Sequence, residues 1–196
     1  MKTNQTATNN AIAKLGVAKA MRTLYFTRVA FSVIWVTLVA VYAPTSPQVA
    51  AVLLIIYPAW DVVGTFWDIK INRQSNSLKP QYTNAVISVA TTFAVGLALN
   101  YGVPAALIVF GVWAGLTGII QLILGVQRRK EFGGQWPMIL SGGQSLIAGV
   151  TFAVLAHQPT MGIASLAGYS GFGAFYYVLA AIRLTKSTQA VHVQTV

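Results

Sequence analysis

The chain has 196 residues, 56% of them hydrophobic and 8% charged, with 13 Lys and Arg against 3 Asp and Glu. Soluble domains carry about 25% charged residues, so this composition excludes a water-soluble globule and indicates one integral membrane bundle. With no Cys, disulfides and thiolate metal sites are excluded as well.

Residues 1–23 are polar and small. They are too long for the n-region of a secretory signal, so the apolar segment that follows is expected to be retained. The stretch is read as a cytoplasmic tail, either disordered or forming an interfacial helix over residues 11–21. Six apolar segments follow, at 24–43, 49–69, 82–100, 103–125, 137–156 and 161–184. Each is long enough to cross a hydrocarbon core of ~30 Å as a helix. They are continuously apolar and lack inside-outside alternation, which argues against a barrel. A short tail, 185–196, closes the chain.

All the bases fall on one side of this arrangement. Lys2, Lys14, Lys19, Arg22 and Arg28 precede or open the first segment; Lys70, Arg73 and Lys79 lie between the second and third. Arg128, Arg129 and Lys130 lie between the fourth and fifth, and Arg183 and Lys186 end the sixth. Cationic loops are retained in the cytoplasm, so both termini are expected there. The same rule accounts for the net charge of +10, so nucleic acid is not an expected partner. Membrane lipids are, with anionic head groups at the cytoplasmic face.

The opposite connections are short and marked by proline: Pro44 to Pro47, Tyr101 to Pro104, and Gln158 to Thr160. Tight turns make antiparallel neighbours of the helices they join. The predicted fold is therefore all-α: a six-helix transmembrane bundle of three tandem hairpins in the same orientation. The hairpins look repeated. Arg73, Arg128 and Arg183 are spaced 55 residues apart, and the second arms carry Tyr57-Pro-Ala-Trp60, Phe110-Gly-Val-Trp113 and Tyr169-Ser-Gly-Phe172. Thr92-Phe-Ala-Val95 recurs as Thr151-Phe-Ala-Val154 with a spacing of 59. Parallel repeats of this kind suggest a pseudo-threefold axis along the membrane normal.

Small residues provide helix packing where lipid gives no hydrophobic drive between helices. The fourth segment carries Gly111, Gly115, Gly118 and Gly125, and the fifth carries Ser141, Ser145 and Gly149. Intramolecular packing is the first reading of these stripes; a homo-oligomer interface is the second.

Two passages carry a family resemblance. One is Trp136-Pro-Met-Ile-Leu-Ser-Gly-Gly-Gln144. The other is Val112-Trp-Ala-Gly-Leu-Thr-Gly-Ile-Ile-Gln-Leu-Ile-Leu-Gly125, followed by Arg128-Arg129. In these the chain resembles the HdeD family of bacterial acid-resistance membrane proteins. The resemblance implies a six-helix inner-membrane protein built of short repeats and linked to survival at low pH. It implies no catalytic or ligand residues.

Among the few polar residues, Asp61 stands out. Counting from the cytoplasmic end of its helix at 1.5 Å per residue places it roughly 10 Å deep. An intramembrane carboxylate costs about 2.5–3.5 kcal/mol and is a functional hypothesis by default. Beside Pro58 it is either a proton or cation coupling site or a structural group hydrogen-bonded to another helix. Thr117 and Gln144 lie at similar expected depth and are its candidate partners. Arg28 and Asp68, each about one turn inside the boundary, are expected to form a structural pair. Glu131 reads as a solvated loop charge. His157 and His192 fall on opposite sides of the membrane, which excludes a shared metal, and no metal or cofactor is expected. No intramembrane His, Cys or paired carboxylates offer acid-base chemistry, so an enzyme is not expected. Three functions remain: an acid- or envelope-stress protein, a small transporter or channel coupled through Asp61, and a scaffold for membrane partners.

Overall fold

A computed structural model describes the backbone over residues 2–75, 77–132 and 135–193, and side chains over 12–75, 77–130 and 135–185. It contains six long helices: α1 (Lys2–Tyr42), α2 (Pro47–Ile71), α3 (Lys79–Ala98), α4 (Val103–Phe132), α5 (Trp136–Leu155) and α6 (Ser165–Val193). All six are long and apolar enough to cross a membrane.

Proline stands in the first turn of four helices, at Pro47, Pro80, Pro104 and Pro137. The missing N–H costs nothing there, because first-turn amides have no helical acceptor. A single 3-10 turn, Leu99–Tyr101, separates α3 from α4 and ends at Gly102, whose φ of +99° suits glycine.

Each helix packs against its neighbours in sequence, and α6 returns against α1, so the six close into a ring. The seams between hairpins (α2–α3, α4–α5 and α6–α1) are more extensive than those within hairpins. Turn length therefore makes neighbours, but it does not make the most extensive seams. Ring closure by α6 on α1 is the relation a pseudo-threefold arrangement requires.

The repeat is clearest inside the ring. Tyr57, Phe110 and Tyr169, one from each second arm, meet with ring centroids 5.8, 6.4 and 5.9 Å apart. Val39, Val95 and Phe152, one from each first arm, are all buried in the same core. Their spacings of 56 and 57 replace the expected 59, since Phe152 and not Val154 takes the inward position; Val154 is exposed. The Arg repeat is not an equivalence of environment. Arg128 is buried, Arg73 is exposed, and Arg183 lies over the Trp136 ring at 5.1 Å.

Three boundaries depart from expectation. The stretch read as a tail or separate surface helix is continuous with α1 from Lys2, and Ala18 and Met21 are buried with Ala180, Ala181 and Leu184. At ~1.5 Å per residue α1 is about 60 Å long, so it extends well beyond a ~30 Å core. At its other end the chain also continues as helix, since α6 runs to Val193. Finally, α6 starts at Ser165 and not at 161, so the third hairpin turns through a longer connection than the other two. His157 is exposed in that connection, whereas the side chains of Glu131, Lys186 and His192 lie outside the described residues.

Candidate functional site in the centre of the ring

The first arms turn a repeated polar stripe inward. Arg28, Asn84 and Ser141 share spacings of 56 and 57, as do Ser32, Ser88 and Ser145. All of these except Ser88, which is fully buried behind Asp61, join Asp61, Thr65 and Asp68 of α2 in lining a cavity of about 120 Å³ inside the ring. The aromatic triangle of Tyr57, Phe110 and Tyr169 lies at the end of these stripes furthest from the bases.

Asp61 is the hub of the network. One carboxylate oxygen accepts from Arg28 Nη1 at 2.8 Å. The other accepts from Asn84 Nδ2 at 2.7 Å and Ser88 Oγ at 2.8 Å. Asn84 Nδ2 also donates to Thr65 Oγ1 at 2.8 Å, and Trp113 Nε1 donates to Ser88 Oγ at 2.9 Å. The carboxylate thus ties α1, α2 and α3 together through charge-assisted hydrogen bonds, and Trp113 joins α4 to them through Ser88. Arg28 is further held 5.5 Å from the centroid of the Tyr177 ring on α6. It fits because α2 carries Gly64 opposite: a Cβ there would lie 2.6 Å from Arg28 Nη2.

The expected Arg28–Asp68 pair is therefore corrected. Arg28 pairs with Asp61, and Asp68 pairs with Arg128 of α4, supported by Asn72 Nδ2 at 3.1 Å. The reason lies in helix length. Because α1 begins far ahead of the apolar segment, Arg28 sits well inside the helix and reaches the level of Asp61. Because α4 continues to Phe132, Arg128 is a helical residue facing α2 and not a loop base.

Thr117 and Gln144 line the same cavity but do not bond Asp61. The Thr117 hydroxyl donates back to the Trp113 carbonyl at 2.9 Å, the local bond that helical Thr commonly makes. Sequence reasoning missed Asn84 and Ser88, which are true partners of Asp61, and Thr65, which holds Asn84 in place. The 56-residue spacing that relates Asn84 to Arg28 and Ser88 to Ser32 was the available signal.

Pro58 leaves α2 without one interior amide beside the site. Nearby, Trp35 Nε1 of α1 donates to the Leu53 carbonyl at 2.8 Å, which ties the loosened turn to its neighbour.

The small-residue stripes face one another across α4 and α5. A Cβ on Gly111 would lie 2.6 Å from the Gly149 carbonyl oxygen, and one on Gly118 would lie 2.7 Å from that of Gly142. Gly125 abuts Ile139 of α5, and Gly149 lies against Gly115. Ser141 and Ser145 are buried on the same helix, with Tyr169 Oη and Ser145 Oγ 3.3 Å apart. Gly142 joins the residues expected here. This seam sets the fourth and fifth helices of the ring at close range.

No curated protein and no solved structure matches the chain. The chain is a multi-pass membrane protein, and its residues 83–154, running from α3 into α5, match the family described as a short repeat of unknown function, DUF308.

Proposed function

We propose that this is a non-catalytic protein of the bacterial inner membrane, with both termini cytoplasmic, that serves resistance to acid or envelope stress. The observation that carries the reading is the state of the intramembrane acids. Asp61 and Asp68 are each engaged by a guanidinium from another helix, and an aromatic triangle fills the ring axis beyond them. A ring held this way favours a static body over a catalyst. The HdeD resemblance supports the stress role, and three acids in the whole chain leave few charges to change as pH falls. The bases at one end suit contact with anionic lipid head groups.

Survival of a deletion strain after acid challenge tests the role. The expected result is a loss of at least ten-fold that the wild-type gene restores; unchanged survival sinks the proposal. A reporter fused after Val196 is expected to read cytoplasmic, and one inserted near Ser46 external.

A second reading, transport coupled through Asp61, draws on one observation: Asp61 stands on the wall of the polar cavity with Thr117 and Gln144. It requires a pH-dependent flux in proteoliposomes that disappears in Asp61→Asn. Equal flux in both proteins removes Asp61 from any such mechanism.

A further inference from the structure

The polar groups of the cavity divide into two sets. The charged ones are matched: Arg28 with Asp61, and Arg128 with Asp68. Among the neutral ones, Asn84, Thr65, Thr117 and Ser145 are hydrogen-bonded but several others are not. Gln81 and Gln135 are 3% and 2% exposed, yet their Oε1 atoms have no hydrogen-bond partner among the described residues. Gln121 Nε2 and Trp60 Nε1 are buried donors in the same condition. All four residues line the cavity. A buried polar atom without a partner costs about 1–3 kcal/mol, and one cavity gathers these four from α2, α3, α4 and the approach to α5, besides Tyr25 Oη of α1, which lies next to Arg128.

We propose that this chamber binds a small neutral solute of carboxamide type, one that donates to Gln81 and Gln135 and accepts from Gln121 and Trp60. Charge supports neutrality. Each fixed cation already has its anion, so an entering ion would lose its hydration without gaining a counter-charge. Donors and acceptors both stand open, so the guest must offer both. Size limits it further. Benzene, with six heavy atoms, fills an apolar cavity of roughly 150 Å³, and the present volume is about 120 Å³. The assignment goes beyond the stress role and does not depend on it.

The test uses three probes of one shape on the full-length protein in nanodiscs: acetamide, acetate and acetamidinium, each at matched ionic strength. Acetamide is expected to raise the unfolding midpoint and to change tryptophan emission saturably, since Trp60 and Trp113 line the site. Neither ion is expected to do so. Gln121→Met keeps the side-chain volume and removes the open donor; it is expected to weaken acetamide binding about ten-fold, the scale of one hydrogen bond. Gln81→Met repeats the measurement on another helix should the first variant fail to fold. No response to acetamide, an equal response to the ions, or unchanged affinity in both variants overturns the proposal and leaves a chamber that holds water alone.

Discussion

Two seams of the ring hold their helices by opposite means. Between α4 and α5, glycine faces glycine and the backbones touch, with Gly111 against Gly149 and Gly118 against Gly142. Around Asp61, the helices are joined by side chains that reach across: Arg28, Asn84, Ser88 and Thr65. In lipid neither seam gains from the hydrophobic effect, because the tails are as apolar as the helices. The first seam gains dispersion through close approach. The second gains by giving each buried polar group a partner, whose loss leaves a large penalty. The comparison predicts that the glycine seam fails by steric overlap and the polar seam fails by abandonment of a charge.

The largest effect belongs to the polar seam. Arg28→Ala leaves Asp61 without its guanidinium and is expected to destabilise the protein by about 3–5 kcal/mol, measured by unfolding in mixed micelles. The double variant Arg28→Met with Asp61→Leu is expected to recover most of that. A double-mutant cycle with additive losses would break the comparison at this end.

Next comes the glycine seam. Gly118→Ala and Gly149→Ala each place a methyl group against opposing backbone that a rotamer change cannot move aside. Losses of about 1–3 kcal/mol are expected for each, from the same unfolding measurement. Wild-type stability in both would show that α4 and α5 are not in backbone contact.

Gly64→Ala joins the two ideas, because its methyl would displace the Arg28 guanidinium and not backbone. An intermediate loss of about 1–2 kcal/mol is expected. It should vanish in the Arg28→Met, Asp61→Leu background, and a loss that persists there assigns Gly64 to simple packing. The smallest effects sharpen the contrast. A Cβ on Gly115 would meet only Leu146 Cδ1 at 3.7 Å, and one on Gly143 would meet nothing within 4 Å. Gly143→Ala is expected to be neutral or to stabilise by up to about 1 kcal/mol through helix propensity, and Gly115→Ala to change stability by less than about 0.5 kcal/mol. A large loss at Gly143 would mean that this face is packed.

Much of the fold was legible because lipid imposes it. Helix length, prolines at the turns and small-residue stripes are local in sequence, and they placed six spans and the stripes of α4 and α5, though not that the two stripes face each other. The three aromatic positions Tyr57, Phe110 and Tyr169 were also visible, as repeated pairs on the second arms. Ion-pair partners were not, because they depend on how far each helix runs beyond its apolar segment. Counting depth from the end of hydrophobicity put Arg28 level with Asp68, whereas the continuous α1 sets it against Asp61. Arg128 was misread for the same reason, as a loop residue beyond a helix that in fact encloses it. Asn84 and Ser88 escaped because a buried Asn or Ser in an apolar helix looks like any other small residue; only the spacing to Arg28 and Ser32 distinguishes them.

The two ion pairs also differ in when they can form during synthesis. Arg28 and Asp61 are 33 residues apart and lie within the first hairpin, so that hairpin leaves the ribosome with its deep acid and its base already together. Asp68 finds Arg128 only 60 residues further along the chain, after the second hairpin has emerged. A nascent chain that stops at α3 therefore holds one neutralised acid and one without the Arg128 guanidinium. Delivery of the fourth helix into the bilayer is the step that completes charge neutrality, well before α6 closes the ring.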